Sequence, residues 1–193
     1  QTIEETVLAH EFFPIAPEGT HHTVVTFDTT PSTPDGITPC EATTNAPDMI
    51  YGSGVGTDPL VLPEGVAVEI PAGGQILLNL HLFNTSSEEI TGHSGIEVVT
   101  ADGSEVDEIA QVLLAGNESF SIPPSTADHW VESSCTARAD TTVFAVSPHM
   151  HQYGDYMEIR AVSGATETLL LEDTYSFDDQ QFSLLDTPIA LAE

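Results

Sequence analysis

The chain has 193 residues and sets 31 Asp and Glu against Arg138 and Arg160, with no lysine, for a formal net charge of -29 at pH 7. That balance argues against nucleic acid as a partner, because phosphate binding needs clustered Lys and Arg. It also opposes anionic membranes, while it suits metal ions, cationic substrates, basic proteins, or simply a salt-adapted or highly soluble extracellular surface.

With 40% apolar residues the chain has the means to bury a core, and its length suits one large or two small domains. No apolar run reaches the ~20 residues of a membrane span, so no membrane span is expected. The start at Gln1 lacks the basic, apolar, cleavage-site pattern of an export signal.

Strand-like runs rich in Val, Ile, Leu, Phe or Thr recur along the chain, bounded by Gly, Pro, Asp or Ser. In order they are Thr6–Phe13, Thr23–Phe27, Val66–Ile70, Gln75–Phe83, Gly95–Thr100, Ala110–Leu114, Thr142–Ser147, Tyr156–Val162, Glu167–Leu171 and Gln181–Leu185. Pro and Gly interrupt nearly every window that would hold three helical turns. The expected fold is all-β.

Between the second and third runs, Thr29–Gly65 reads as one long irregular stretch carrying many of the prolines and glycines and Cys40. A loop this long in a compact domain is usually functional or tied down, and Cys40 is the expected tie. Cys40 and Cys135 leave open one disulfide, free thiols, or pairing outside this chain. The polar, proline-bearing passage Ser121–Ser134 marks an expected boundary between two antiparallel β-sandwich lobes, residues 1–122 and residues 123–193, the second incomplete. Asn84-Thr85-Ser86 and Asn117-Glu118-Ser119 match the glycosylation sequon, a triplet common by chance.

Five of the eight histidines fall in suggestive positions: His21-His22, His81 within LLNLHLFN, and His149-x-His151 within SPHMHQYG. Imidazole suits copper, zinc, nickel and iron. In a strand, residues i and i+2 share a face, so His149 and His151 are able to converge on one ion with Met150 turned away. Adjacent His21 and His22 face opposite ways unless the strand bends or bulges, which Pro14, Pro17 and Gly19 upstream make plausible. A lone histidine such as His81 in an apolar strand is more often a hydrogen-bonded core residue than a ligand.

The order of these elements resembles the copper type II, ascorbate-dependent monooxygenases, the family of peptidylglycine α-hydroxylating monooxygenase and dopamine β-monooxygenase. EFFPIAPEGTHHTVVTF is similar to the strand leading into that family's HH motif, and LPEGVAVEIPAGGQILLNLHLFN to its Leu-Pro-x-Gly to HYxN passage. SPHMHQYGDYMEI resembles its HxHxxG motif, and YSFDDQQF the aromatic and polar segment after it. The resemblance implies jelly-roll-like lobes, secretion or a cell-surface or periplasmic location, and a first, electron-transfer copper held by His21, His22 and His81. It implies a second copper on His149 and His151, where dioxygen is activated, so that these two are the catalytic residues.

The implied reaction is hydroxylation of a C–H bond of a small-molecule or peptide substrate, with dioxygen and ascorbate. The family completes its second copper site with a downstream methionine in a Glu-Met-Cys type motif. No such motif precedes Glu193, and Met157 is the nearest substitute, ahead of Met49 and Met150. Cys40 and Cys135 fall where the family has half-cystines whose usual partners lie outside residues 1–193. The second lobe is therefore expected to be closed by further polypeptide or by self-association. Two other readings remain open: a copper-binding or structural extracellular β-sandwich without turnover, and a filament subunit whose carboxylates bind calcium.

Overall fold

The computed structural model describes residues 1–40, 48–117, 119–138 and 140–191. The fold is all-β: the described residues form twelve strands and one short 3₁₀ turn at Gly103–Glu105, which is closed by an Asp102 capping box. No helix among the described residues is long and apolar enough to cross a membrane.

Two sheets build the first part of the molecule. In one, β1 (Val7–Ile15) is flanked on one side by β4 (Leu60–Val61) and β5 (Val66–Ile70), and on the other by β7 (Gly95–Thr100). β8 (Glu108–Ile109) joins β5 in parallel. In the other, β2 (Thr20–Asp28) runs between β3 (Asp48–Ser53) and β6 (Gln75–Leu82), antiparallel to both. Thr23, Val25 and Phe27 of β2 share one face and are buried, and Thr26 on the opposite face is buried as well.

The inward faces of these sheets meet in one core of Ala9, Phe12, Val25, Phe27, Tyr51, Leu62, Val68 and Ile70. At its centre the Phe12 and Tyr51 rings stack across the sheets, centroids 4.9 Å apart and 4° from parallel. Phe144 and Phe182 of the later chain pack against this core. Beyond it lie two two-stranded sheets, β9 (Thr142–Val146) with β12 (Ser183–Ala190) and β10 (Tyr156–Ser163) with β11 (Thr166–Thr174). From these later strands and their loops only Tyr175 and Gln180 are buried.

Several sequence expectations are corrected. The stretch Thr29–Gly65 is not a single irregular loop, since it contains β3 and β4. β3 holds a mid-strand glycine, Gly52, which weakens the local signal, and its pairing to β2 together with burial of Tyr51 outweighs that. Cys40 does not tie the stretch down: Cys40 and Cys135 are free, exposed thiols. The tie is polar. The buried Gln75 amide donates to Thr33 O (2.7 Å) and to Asp35 Oδ1 (3.1 Å), and accepts from Thr33 Oγ1 at 2.9 Å. Asp35 also accepts from Thr2 N at 2.8 Å. Residues 41–47 lie outside the described residues, as does Glu118 of the second sequon.

Ala110–Leu114 is not a strand. Pairing ends when Ala110 N donates to Ala67 O, and Leu113 and Leu114 are exposed. The last strand runs longer than expected and carries Pro188, tolerated because the β9–β12 register breaks between Leu184 and Ile189.

Candidate metal centre

β2 and β6 place His22 directly opposite His81, while the preceding pair is Thr20 with Leu82. β2 thus advances two residues where β6 advances one, which makes His21 the extra residue of a β-bulge. The bulge cancels the alternation that would send His21 and His22 to opposite faces. All three rings meet: centroids are 4.7 Å apart for His21–His81, 4.8 Å for His22–His81 and 5.1 Å for His21–His22.

One ring nitrogen from each of the three residues lies within 4.8 Å of the others. Among the described residues this is the only such group of three or more His, Cys, Asp or Glu. Metal–imidazole bonds of ~2.0–2.1 Å put ligand nitrogens a little over ~3 Å apart, so the trio lies near ligating geometry and would have to draw in to reach it. His21 Nδ1 and His22 Nδ1 are already 3.0 Å apart, one of them donating to the other.

Two further features suit a cation here. His81 Nδ1 is buried with no hydrogen-bond partner among the described residues, a cost that a metal bond or a rearranged hydrogen bond would remove. His21 is held below the ordinary imidazole pKa, first by burial and then by the charges of His81, His151 and His149. It therefore stays neutral, the form that ligates, to lower pH than an ordinary histidine.

His149 and His151 do not lie on a strand, contrary to the strand-face expectation. β9 ends at Val146, and Pro148, without an N–H to donate, starts a loop that runs to β10 at Tyr156. The loop turns at Gln152–Tyr153, with Gly154 N donating to His151 O at 2.8 Å. The two rings still approach each other, centroids 5.5 Å apart and nearly perpendicular at 82°. Tyr175, itself buried, donates its hydroxyl to the carbonyl of the intervening Met150. His149 Nδ1 lies 2.8 Å from Gln180 Oε1.

The three methionines lie in different settings. Met157 sits within β10, paired with Asp173 of β11. The Met150 side chain packs against Gly154, where a Cβ would lie 2.7 Å from its sulfur, and the Met49 methyl packs against Gly52. His10, outside both groups, has its Nδ1 2.9 Å from Val66 O. Sequence reading assigned no role to Tyr175, Phe177 or Gln180, although YSFDDQQF drew attention to their segment. Phe177 covers the first cluster, its ring centroid 5.3 Å from that of His21.

A cleft of about 350 Å³ opens beside His21, lined in part by Pro17, Glu18, Val55, Gly56 and Phe83. The chain matches no protein-family model and no curated protein.

Proposed function

We propose that this chain is a secreted copper protein that holds one ion at His21, His22 and His81 and another at His149 and His151, and that it serves hydroxylation of a C–H bond with dioxygen and ascorbate. The observation that carries this reading is the bulge at His21, which joins two adjacent histidines to a third on the neighbouring strand beside a buried, unpartnered ring nitrogen. The donors are all neutral imidazoles, without carboxylate or thiolate. That set suits copper and zinc and excludes calcium and magnesium as preferred ions, and copper stands above zinc in intrinsic affinity.

Bound copper would supply one-electron redox chemistry and activation of dioxygen. The chain's own part is division of labour by coordination. The trio is partly buried and covered by Phe177, which suits an ion that passes electrons. His149 and His151 are exposed and contribute two ligands, leaving coordination positions open to small molecules.

A second reading, copper binding without turnover, is favoured by the second group's having two histidines against the three of the first. Anaerobic titration with copper, followed by ascorbate and then dioxygen, separates the two. Two equivalents bound with ascorbate-dependent oxygen uptake and hydroxylated product support the enzyme. Two equivalents with no turnover support the binding protein, and failure of the His21/His22/His81 triple alanine variant to lose an equivalent overturns both.

A further inference from the structure

Gln180 is 7% exposed and lies where the early and late parts of the chain meet. Every polar group it carries is engaged. Its backbone N donates to Val55 O at 3.3 Å, and its backbone O accepts from Thr57 Oγ1 at 2.7 Å. Thr57 Oγ1 in turn accepts from Gly54 N at 2.9 Å, closing the 54–57 turn onto it. Its side-chain Nε2 donates to Phe177 O at 2.8 Å, and its Oε1 faces His149 Nδ1 at 2.8 Å.

These contacts determine more than position. A carboxamide can be turned end for end, but the Phe177 carbonyl only accepts, so the NH₂ end must face it. The oxygen end therefore faces His149, and an amide oxygen only accepts, so Nδ1 of His149 must carry the proton. In the neutral ring that leaves Nε2 with the lone pair. Gly54 keeps the carboxamide in place: a Cβ there would lie 2.6 to 2.7 Å from Gln180 Cδ, Nε2 and Oε1. Phe177, whose carbonyl sets the direction of the amide, also rests its ring on His21, so one short segment touches both histidine groups.

We propose that Gln180 is a positioning residue for the second histidine group: by accepting a hydrogen bond from Nδ1–H it holds His149 in the tautomer that presents Nε2 to a metal ion, and Gly54 is the surface against which it is held. The metal half of this statement rests on the copper reading above, whereas the tautomer half belongs to the metal-free chain. Loss of an outer-shell partner of this kind ordinarily costs about 10- to 100-fold in metal affinity.

The test has a readout that needs no metal. Long-range ¹H–¹⁵N spectra of the full-length, metal-free protein at neutral pH report which nitrogen of His149 is protonated. The expected result is Nδ1–H in the unaltered chain, a shift toward Nε2–H in Gln180→Met and in Gly54→Ala, and retention of Nδ1–H in Gln180→Glu, whose carboxylate still accepts. Gly54→Ala keeps Gln180 itself and displaces only its carboxamide, so it covers the case in which Gln180→Met fails to fold. Titration with Cu(II) should show the second equivalent weakened about 10- to 100-fold in Gln180→Met and Gly54→Ala, within a few-fold of normal in Gln180→Glu, and the first equivalent unchanged in all. Nε2–H in the unaltered chain, or a tautomer indifferent to both variants, overturns the role of Gln180. The expected tautomers with no second copper in the unaltered chain overturn the copper reading of His149 and His151 and leave the positioning role standing.

Discussion

The hydroxyl of Tyr51 is buried at the centre of the core with no hydrogen-bond partner among the described residues. Burial raises its pKa from 10.0 to about 12, opposed by the polar Ser53 side chain, which lies close to the hydroxyl without making a geometrically formed hydrogen bond to it. The unfolded phenol ionises near pH 10 and the folded one near 12, so stability is whole below the first value and falls as pH rises through the second. The loss should approach roughly 2 to 3 kcal/mol. Denaturation midpoints between about pH 8 and pH 12 should fall in the unaltered protein and lack this step in Tyr51→Phe. At neutral pH that variant should be at least as stable, because it removes an unsatisfied buried hydroxyl. At the first histidine cluster, His81→Ala should weaken copper more than the roughly 10- to 100-fold expected for an outer-shell residue, because it removes a ligand. Competition against a chelator measures it, and an unchanged first equivalent would return His81 to a purely structural role.

At the scale of single elements, β2 depends on tight packing where β6 begins. A Cβ on Gly74 would lie 2.1 Å from Phe27 Cζ, 2.4 Å from Phe27 Cε2 and 2.8 Å from the Asp28 carbonyl. Phe27 is 5% exposed within the core and Asp28 pairs with Gln75, so neither has room to yield. Gly74→Ala should therefore cost about 1 to 3 kcal/mol, measured by chemical denaturation, through overpacking. The bulge at His21 lies at the far end of the same strand pair, where pairing resumes with Thr20 and Leu82 on its other side. It belongs to a paired stretch of β2, which makes the trio part of the scaffold. His149 and His151 depend instead on loop contacts from Tyr175 and Gln180.

Across the whole molecule, 31 carboxylates face two arginines, and the ion pairs found among the described residues are Gln1 amino with Asp35 and Arg160 with Glu158. Nearly all the acidic charge is therefore unpaired and self-repelling, which favours the expanded chain. The screening length contracts from about 10 Å at 0.1 M salt to about 3 Å at 1 M. Tm should accordingly rise by several degrees when KCl is raised from about 0.1 M to about 1 M. A flat or falling Tm over that range would show that repulsion does not govern stability.

Strands and turns were legible along most of the chain, because runs of Val, Ile, Leu, Phe and Thr bounded by Gly, Pro, Asp or Ser are written locally in the sequence. The five histidines were legible as residue types in suggestive positions, since chemistry resides in side chains that a sequence states outright. Tertiary structure alone decided the rest. The bulge that unites His21 with His22 follows from register against β6, a partner more than fifty residues away. β3 exists because β2 offers it an edge and the core accepts Tyr51, although Gly52 weakens its local signal. Gln75 and Asp35, not Cys40, tie down the early loop, because hydrogen bonds among distant polar groups leave no periodic trace. The link from Gly54 through Gln180 to His149 is of the same kind: each residue alone is unremarked, and only folding sets Gly54 against the Gln180 carboxamide and brings that carboxamide to 2.8 Å from His149.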